Sequence, residues 1–126
     1  MTSPIVPLAS AVLTVPFWWS GVAKLADFPS AVAETTALGL RPATLAAIAT
    51  IAVQLVGSTL IITGWSVWIG AGLLAAFALL ASLVGHPFWA CVDRTERDHQ
   101  LNAFLANAGL IGGLVLAALL SERVTA

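Results

Sequence analysis

Cysteine, charge and the usual catalytic groupings are all scarce in this sequence of 126 residues. Its single cysteine, Cys91, excludes an intrachain disulfide, a CxxC redox pair and a cysteine-based zinc site. The chain alone therefore cannot act as a thiol–quinone oxidoreductase that needs paired cysteines. The net charge of −1 offers no basic surface, so we expect no nucleic-acid partner. No Ser/His/Asp arrangement, glycine-rich phosphate loop or metal-ligand cluster stands out, and we predict no metal site.

Charged residues make up only 9% of the chain, whereas apolar residues make up 60% and the mean hydropathy is +0.99. A soluble domain this small would need a charged surface, because small proteins expose a large share of their area. The apolar residues instead form four long stretches, at residues 4–26, 42–63, 65–85 and 99–121. Each has the length of about 20 residues with which a helix crosses roughly 30 Å of hydrocarbon.

These four stretches predict the fold. In lipid the backbone must satisfy its own hydrogen bonds, and strand-type alternation is absent, so we expect transmembrane helices. Short links between them predict an all-α integral membrane four-helix bundle, with one domain over residues 1–126. Residues 29–40 are too short to span and too apolar for a free loop, which predicts a short interfacial helix between helices 1 and 2. No Lys or Arg precedes the first stretch, so we expect it to remain a membrane helix rather than a secretory signal.

The basic residues are distributed unevenly between the two sides of the predicted bundle. Both polar links fall on one side, and the termini fall on the other together with the tight turn at Gly64. The link side carries Lys24, Arg41, Arg94 and Arg97, and the terminal side carries Arg123. The positive-inside rule then predicts that the links face the cytoplasm.

Small residues recur four positions apart in two of the apolar stretches, as Ala71/Ala75, Ala108/Gly112 and Gly109/Gly113. This spacing places both members of a pair on one helix face, where membrane helices approach each other closely. Chance in an alanine-rich chain is the alternative explanation. The oligomeric state, including a homo-oligomer, stays open.

Two ionisable residues near the link side are candidates for binding a ligand. Lys24 lies about one turn before the end of the first stretch, where a lysine commonly extends its ammonium to the lipid headgroups. His86 ends the third stretch on the same side of the membrane, and histidine changes charge near neutral pH. An ammonium and an imidazole at one mouth of a bundle could hold a quinone carbonyl or an anionic headgroup. We expect His99, which follows a highly charged run, to contact headgroups rather than pair with His86 as a metal ligand.

Amides and tryptophans add further candidates. Gln54 and Asn107 lie within apolar stretches, where an amide either bonds across to another helix or holds a ligand inside the bundle. Trp18 and Trp19 lie deep enough for a planar ligand to stack on them, whereas Trp89 is expected to anchor at the membrane interface.

Five short pieces of sequence carry a resemblance to a known family. They are Ser20-Gly21-x-x-Lys24, Leu38-Gly39-Leu40-x-Pro42, Gln54-Leu55-Val56-Gly57, His86-Pro87, and Asn107 ahead of Gly112-Gly113. In this order and spacing the chain resembles the DoxX family of small bacterial membrane proteins, over essentially its whole length. Two departures stand out: members often carry Glu where this chain has Gln54, and a Lys where it has Ala106. Proton-linked mechanisms are less expected for this member.

The resemblance implies a location and a role. The family is similar to the small membrane subunit of thiosulfate:quinone oxidoreductase, and its members are linked to sulfur metabolism and redox-stress complexes. It implies a multi-pass protein of the bacterial inner membrane in contact with lipids. By this analogy Lys24, His86 and nearby tryptophans would line a quinone pocket, while a peripheral or membrane redox partner supplies the sulfur chemistry.

Three functions remain open from the sequence. The first is a quinone- or lipid-binding membrane subunit of a redox complex, in which electrons come from a partner. The second is a non-enzymatic anchor or assembly factor that docks a peripheral partner on the charged segment at residues 93–98. The third, a proton-coupled multidrug exporter, is disfavoured because it needs an embedded carboxylate in the first helix, and none precedes Asp27.

Overall fold

The computed structural model describes residues 4–125 as five α-helices and one short 3₁₀ turn. The elements are α1 (Ile5–Ala26), α2 (Phe28–Ala37), α3 (Ala43–Thr63), α4 (Val67–Gly85), the 3₁₀ turn (Phe88–Ala90) and α5 (Arg94–Thr125). Within residues 4–125 there is no strand, and four of the helices are long and apolar enough to cross a membrane. The predicted all-α membrane bundle with a short helix after the first span is therefore confirmed. Residues 1–3 and 126 of the predicted domain, and the side chain of Arg123, lie outside the described residues.

The last helix begins earlier than the apolar stretch predicts, at Arg94 rather than at His99. The side chain of Asp93 accepts a hydrogen bond from the backbone N–H of Glu96 at 3.0 Å, and its carbonyl accepts one from Arg97 at 2.9 Å. Asp93 therefore caps α5 and satisfies donors that the first turn leaves free. The charged segment is the exposed first turn of a helix rather than a loop, because Glu and Arg are good helix formers.

Helix α1 continues through Pro16, whose ring leaves one backbone donor missing. The hydroxyl of Thr14 donates to the carbonyl of Ser10 at 2.7 Å, and the indole Nε1 of Trp18 donates to the carbonyl of Ala11 at 3.0 Å. Side chains on either side of the proline thus add hydrogen bonds to carbonyls of the preceding turns, although neither reaches the carbonyl of Val12, whose backbone donor the proline removes.

Helix α2 is stabilised at both ends by local hydrogen bonds. Asp27 caps its start by accepting hydrogen bonds from the backbone N–H and the hydroxyl of Ser30. At its end Gly39 adopts a φ of 80°, and the N–H groups of Gly39 and Leu40 donate to the carbonyls of Thr36 and Thr35. This is a Schellman ending, which requires the left-handed conformation that glycine adopts without strain. The helix packs on α3 and α1, and it buries Ala31 and Thr35.

The four long helices pack in chain order. Helix α1 lies mainly against α3, α3 against α4 and α4 against α5, whereas α1 and α5 touch much less. A tight turn at Gly64 makes α3 and α4 antiparallel neighbours, and the buried cluster includes Phe17, Leu74 and Leu114. We call the end of the bundle that holds α2 and residues 86–93 the link end. The opposite end, with the Gly64 turn, is the terminal end.

Helices α3 and α4 meet backbone to backbone at Gly57 and Gly70. A Cβ atom built on Gly70 would lie 2.7 Å from the carbonyl oxygen of Gly57, which is closer than real carbon–oxygen contacts. Only glycine permits this approach, as is common between membrane helices. The small-residue pairs predicted in α5 behave differently, because nothing lies within 4 Å of a Cβ built on Gly109 or Gly112.

Candidate functional site

Lys24 lines a polar groove between α1 and α2 at the link end. The groove has a volume of about 290 Å³. It is lined by Ser20, Ala23, Lys24, Asp27, Ser30, Ala31 and Glu34. Lys24 is half-buried, and its Nζ donates a hydrogen bond to the hydroxyl of Ser20, one turn earlier on α1, at 2.9 Å. Lys24 therefore lines the same groove as the two acidic residues Asp27 and Glu34 and the two serines Ser20 and Ser30.

His86 lies at the end of α4 and is oriented by a short chain of hydrogen bonds from α5. Its Nδ1 lies 2.7 Å from Oε1 of Gln100, and Nε2 of Gln100 donates to Oε1 of Glu96 at 3.0 Å. Because the amide nitrogen faces the carboxylate, the amide oxygen faces the ring, which assigns the proton to Nδ1 of His86. The ring then presents Nε2 as an acceptor when neutral, or as a second donor when protonated.

Three aromatic rings pack edge to face directly after His86 in the chain and across to α5. We call Phe88, Trp89 and Phe104 the aromatic triad. Ring centroids are 5.2 Å apart for Phe88–Trp89, 5.3 Å for Phe88–Phe104 and 6.0 Å for Trp89–Phe104. These separations and near-perpendicular planes are the favoured geometry of aromatic pairs. The side chain of Trp89 stays 57% exposed, so the triad keeps an open aromatic edge.

Gln100 and Phe104, like Glu96 and Phe88, were not among the ligand-binding residues predicted from the sequence. Both follow Glu96 at intervals of four positions, which places the three side chains along one face of α5. The spacing of Gln100 and Phe104 is visible within the apolar stretch, and the start of α5 at Arg94 adds Glu96 to the same face. His99, by contrast, is exposed.

Trp18 and Trp19 lie apart from both the groove and the triad. The indole of Trp18 points back along α1 to the carbonyl of Ala11, and Trp19 is 66% exposed. Neither lines the groove that contains Lys24. Side chains on a helix lean towards its N-terminus, so these rings reach away from the link end at which α1 finishes.

The two amides of the apolar stretches have different environments. Nδ2 of Asn107 donates to the hydroxyl of Ser82 at 2.9 Å, which joins α5 to α4 by a side-chain hydrogen bond. Gln54 is only 3% exposed, and its Oε1 has no hydrogen-bond partner among the described residues. Asn107 thus has a structural partner, while Gln54 retains an open acceptor in the bundle.

The structure distributes Lys24 and His86 over two different helix pairs at the link end. Lys24 faces the groove between α1 and α2, and His86 bonds to α5. Helix α1 packs mainly on α3, whereas α4 packs on both α5 and α3, so the two polar groups have different neighbouring helices. Among the described residues, no three His, Cys, Asp or Glu side chains are grouped so that they could hold a metal ion.

Comparison with known proteins places this arrangement in context. The model of one family, described as DoxX, matches residues 8–87, which is well over half of the chain. The match includes Lys24, Gln54 and His86 and ends just before the aromatic triad. No curated protein and no solved structure matches the chain.

Proposed function

Because the chain belongs to the DoxX family, we propose that it is a membrane-spanning subunit that binds a quinone headgroup beside His86. In this proposal it works in the bacterial inner membrane within a redox complex linked to sulfur or oxidative-stress metabolism. The bound quinone supplies the electron-accepting chemistry, and a partner protein supplies the electrons. The observation that carries the proposal is an imidazole held in one orientation next to an aromatic wall.

The residues at this end of α4 and α5 fit a flat ring that carries oxygens at its edge. The aromatic triad offers a cluster of apolar rings, of which Trp89 is 57% exposed and leaves its indole open to stack on a flat ligand. Nε2 of His86 can accept a hydrogen bond from a hydroxyl or, when the ring is protonated, donate one to a carbonyl. Gln100 and Glu96 act as positioning residues, because they fix the imidazole through Nδ1 and leave Nε2 for the ligand.

Lys24 is not part of the contact that we propose for the quinone. Its groove is lined by residues of α1 and α2, together with Asp27 between them, and not by His86 or the aromatic triad. Trp18, Trp19, Gln54 and Asn107 are left out for the same reason, because their contacts described above do not involve His86. Of the seven ligand-binding residues predicted from the sequence, the proposed quinone contact therefore keeps only His86 and Trp89.

Binding of a short-chain quinone to the purified full chain tests this proposal. We expect isothermal titration to give a measurable affinity for the wild type, and lipids that co-elute with it to contain quinone. His86→Ala should weaken binding about tenfold, the effect of one hydrogen bond to a partly charged group. Gln100→Leu should weaken it less, because the ring remains but loses its orientation.

His99→Ala is the matched control, because it removes an exposed imidazole from the same end of the bundle. We expect it to bind like the wild type. A wild type without quinone affinity, or equal affinities for His86→Ala and His99→Ala, would contradict the proposal.

A second candidate function, a non-enzymatic anchor for a peripheral partner, is favoured by one observation. Every residue from 92 to 99 is exposed, and most of these side chains carry charge of alternating sign. The double variant Arg94→Glu/Arg97→Glu reverses the basic charges and keeps the Asp93 cap and the Glu96–Gln100 hydrogen bond. Proteins bound to the chain in its native membrane are crosslinked to it and recovered with it. Loss of a crosslinked partner in this double variant, but not in His86→Ala, would support anchoring. Unchanged crosslinking would argue against it.

A further inference from the structure

The groove between α1 and α2 combines one ammonium group with two carboxylates. The ammonium of Lys24 has three N–H donors, and Ser20 takes one of them, so two remain for another acceptor. Asp27 is engaged as the cap of α2 through Ser30. The carboxylate of Glu34 is exposed and makes no hydrogen bond within residues 4–125. The groove thus presents a free donor group at one wall and a free acceptor group at the other.

The remaining lining residues leave room for a small polar ligand between these groups. Ala23 and Ala31 come from the two facing helices, and their short side chains contribute to a groove volume of about 290 Å³. Ser20 and Ser30 place hydroxyls along the same groove. A ligand that matches it needs an anionic part for Lys24 and a separate cationic part with N–H donors for Glu34.

We infer that this groove binds a phosphoethanolamine group, with the phosphate on Lys24 and the primary ammonium on Glu34. A purely anionic phosphate group would leave Glu34 unpaired and would add negative charge beside two carboxylates. A trimethylammonium group carries no N–H and cannot donate a hydrogen bond to the Glu34 carboxylate. A primary ammonium joined to a phosphate satisfies both ends of the groove.

A lipid is the source that the surroundings of the groove favour. The residues of α1 that flank Lys24 include Val22 and Leu25, and both apolar side chains are exposed. They lie where acyl chains would pass alongside the membrane-spanning helix, next to a headgroup held at its end. The inference therefore commits to phosphatidylethanolamine, and it uses a surface separate from the one proposed for the quinone.

Native mass spectrometry of the full, delipidated chain in detergent tests this inference. The chain is titrated with phosphatidylethanolamine, phosphatidylcholine and phosphatidylglycerol that carry identical acyl chains. We expect phosphatidylethanolamine to bind at least about tenfold more tightly than phosphatidylcholine, the effect of one charge-assisted hydrogen bond. Glu34→Gln should abolish this preference and leave phosphatidylcholine binding unchanged. Lys24→Gln should weaken all three lipids, because each has a phosphate.

Asp98→Asn and Arg97→Gln are matched controls, since each removes one exposed charge from the same end of the bundle. We expect both to keep the wild-type preference. Equal binding of phosphatidylethanolamine and phosphatidylcholine by the wild type would overturn the inference, and so would a preference that survives Glu34→Gln.

A competition arm distinguishes the lipid from a soluble ligand. Glycerophosphoethanolamine carries the same headgroup without acyl chains. We expect it to displace the lipid only at much higher concentration, because it lacks the apolar contacts along α1. Displacement at equal concentration would assign the groove to a soluble phosphoethanolamine compound and overturn the lipid as its occupant.

Discussion

The most apolar stretches of α3 and α5 are similarly hydrophobic, but the two helices occupy different places in the bundle. In the most apolar stretch of α3, 33% of the residues are buried, compared with 11% in α5. Helix α3 is packed against α1, α2 and α4, whereas α5 contacts mainly α4 and the 3₁₀ turn. Both helices contain glycine and an amide residue, yet these residues have different surroundings in the two helices.

The comparison shows that a small residue brings helices together only when another helix faces it. Gly57 of α3 lies against Leu74 and the backbone of Gly70, while Gly109 and Gly112 of α5 face no neighbour within 4 Å. Gly113 is intermediate, since a Cβ there would meet the side chain of Leu13 at 3.0 Å. Spacing by four positions is therefore not sufficient for helix contact, and the close approach of Gly57 and Gly70 occurs outside the pairs with that spacing.

The largest effect should come from filling the close approach of α3 and α4. In Gly70→Ala the new methyl group would meet a backbone carbonyl, which cannot move aside as a flexible side chain could. We expect the helices to separate and the free energy of unfolding to fall by about 2 kcal/mol. Unfolding of the purified chain by increasing SDS in mixed micelles measures this change.

Gly109→Ala in α5 is the control for that variant. Its methyl group would enter open space, and alanine is the better helix former. We therefore expect the free energy of unfolding to stay the same or to rise by up to about 1 kcal/mol. If Gly70→Ala and Gly109→Ala lowered the free energy of unfolding equally, the helix faces at these two glycines would be equally packed, and the difference between α3 and α5 would not hold.

A smaller effect should come from the hydrogen bond that ties α5 to α4. Asn107→Leu removes the donor to Ser82 and should lower the free energy of unfolding by about 1 kcal/mol. A double-mutant cycle with Ser82→Ala should give a coupling energy of about 0.6 kcal/mol, as is usual for such bonds in membrane bundles. A coupling energy of zero would show that the two side chains do not interact.

The smallest effect should come from Gln54 in α3. Its Oε1 is buried without a partner, so Gln54→Leu removes an unsatisfied acceptor while roughly keeping the side-chain volume. We expect the free energy of unfolding to stay the same or to rise by about 1 kcal/mol. A loss comparable to that of Gly70→Ala would instead reveal a partner for the amide, such as an internal water or a ligand.

Most of the fold could be predicted from local features of the chain. The helix bounds agree with the apolar stretches within a few residues, except at the start of α5, because hydropathy depends only on the residues inside each stretch. The exception is explained by a cap, since Asp93 starts the helix in a polar segment that hydropathy does not recognise.

Much less of the candidate site could be predicted in the same way. The topology correctly placed Lys24 and His86 at the same end of the bundle, but it could not say which helices each would face. Gln100 lies within the stretch that the sequence predicted as a helix, but its hydrogen bond to His86 depends on how α5 is rotated against α4, which hydropathy does not specify. The direction of Trp18 depended on a hydrogen bond from its indole to the carbonyl of Ala11, seven positions earlier in α1, which the sequence pattern does not specify.

The sequence by itself determined that this protein is a set of four membrane-crossing helices with its polar residues gathered at their ends. That outcome follows from burial of apolar side chains in lipid and from backbone hydrogen bonding, both of which act within each segment. Only the tertiary structure decided that Lys24 shares a groove with Asp27 and Glu34 while His86 bonds to Gln100 of α5. The rotation of each helix and its choice of neighbour arise from packing between distant segments, which no local pattern specifies.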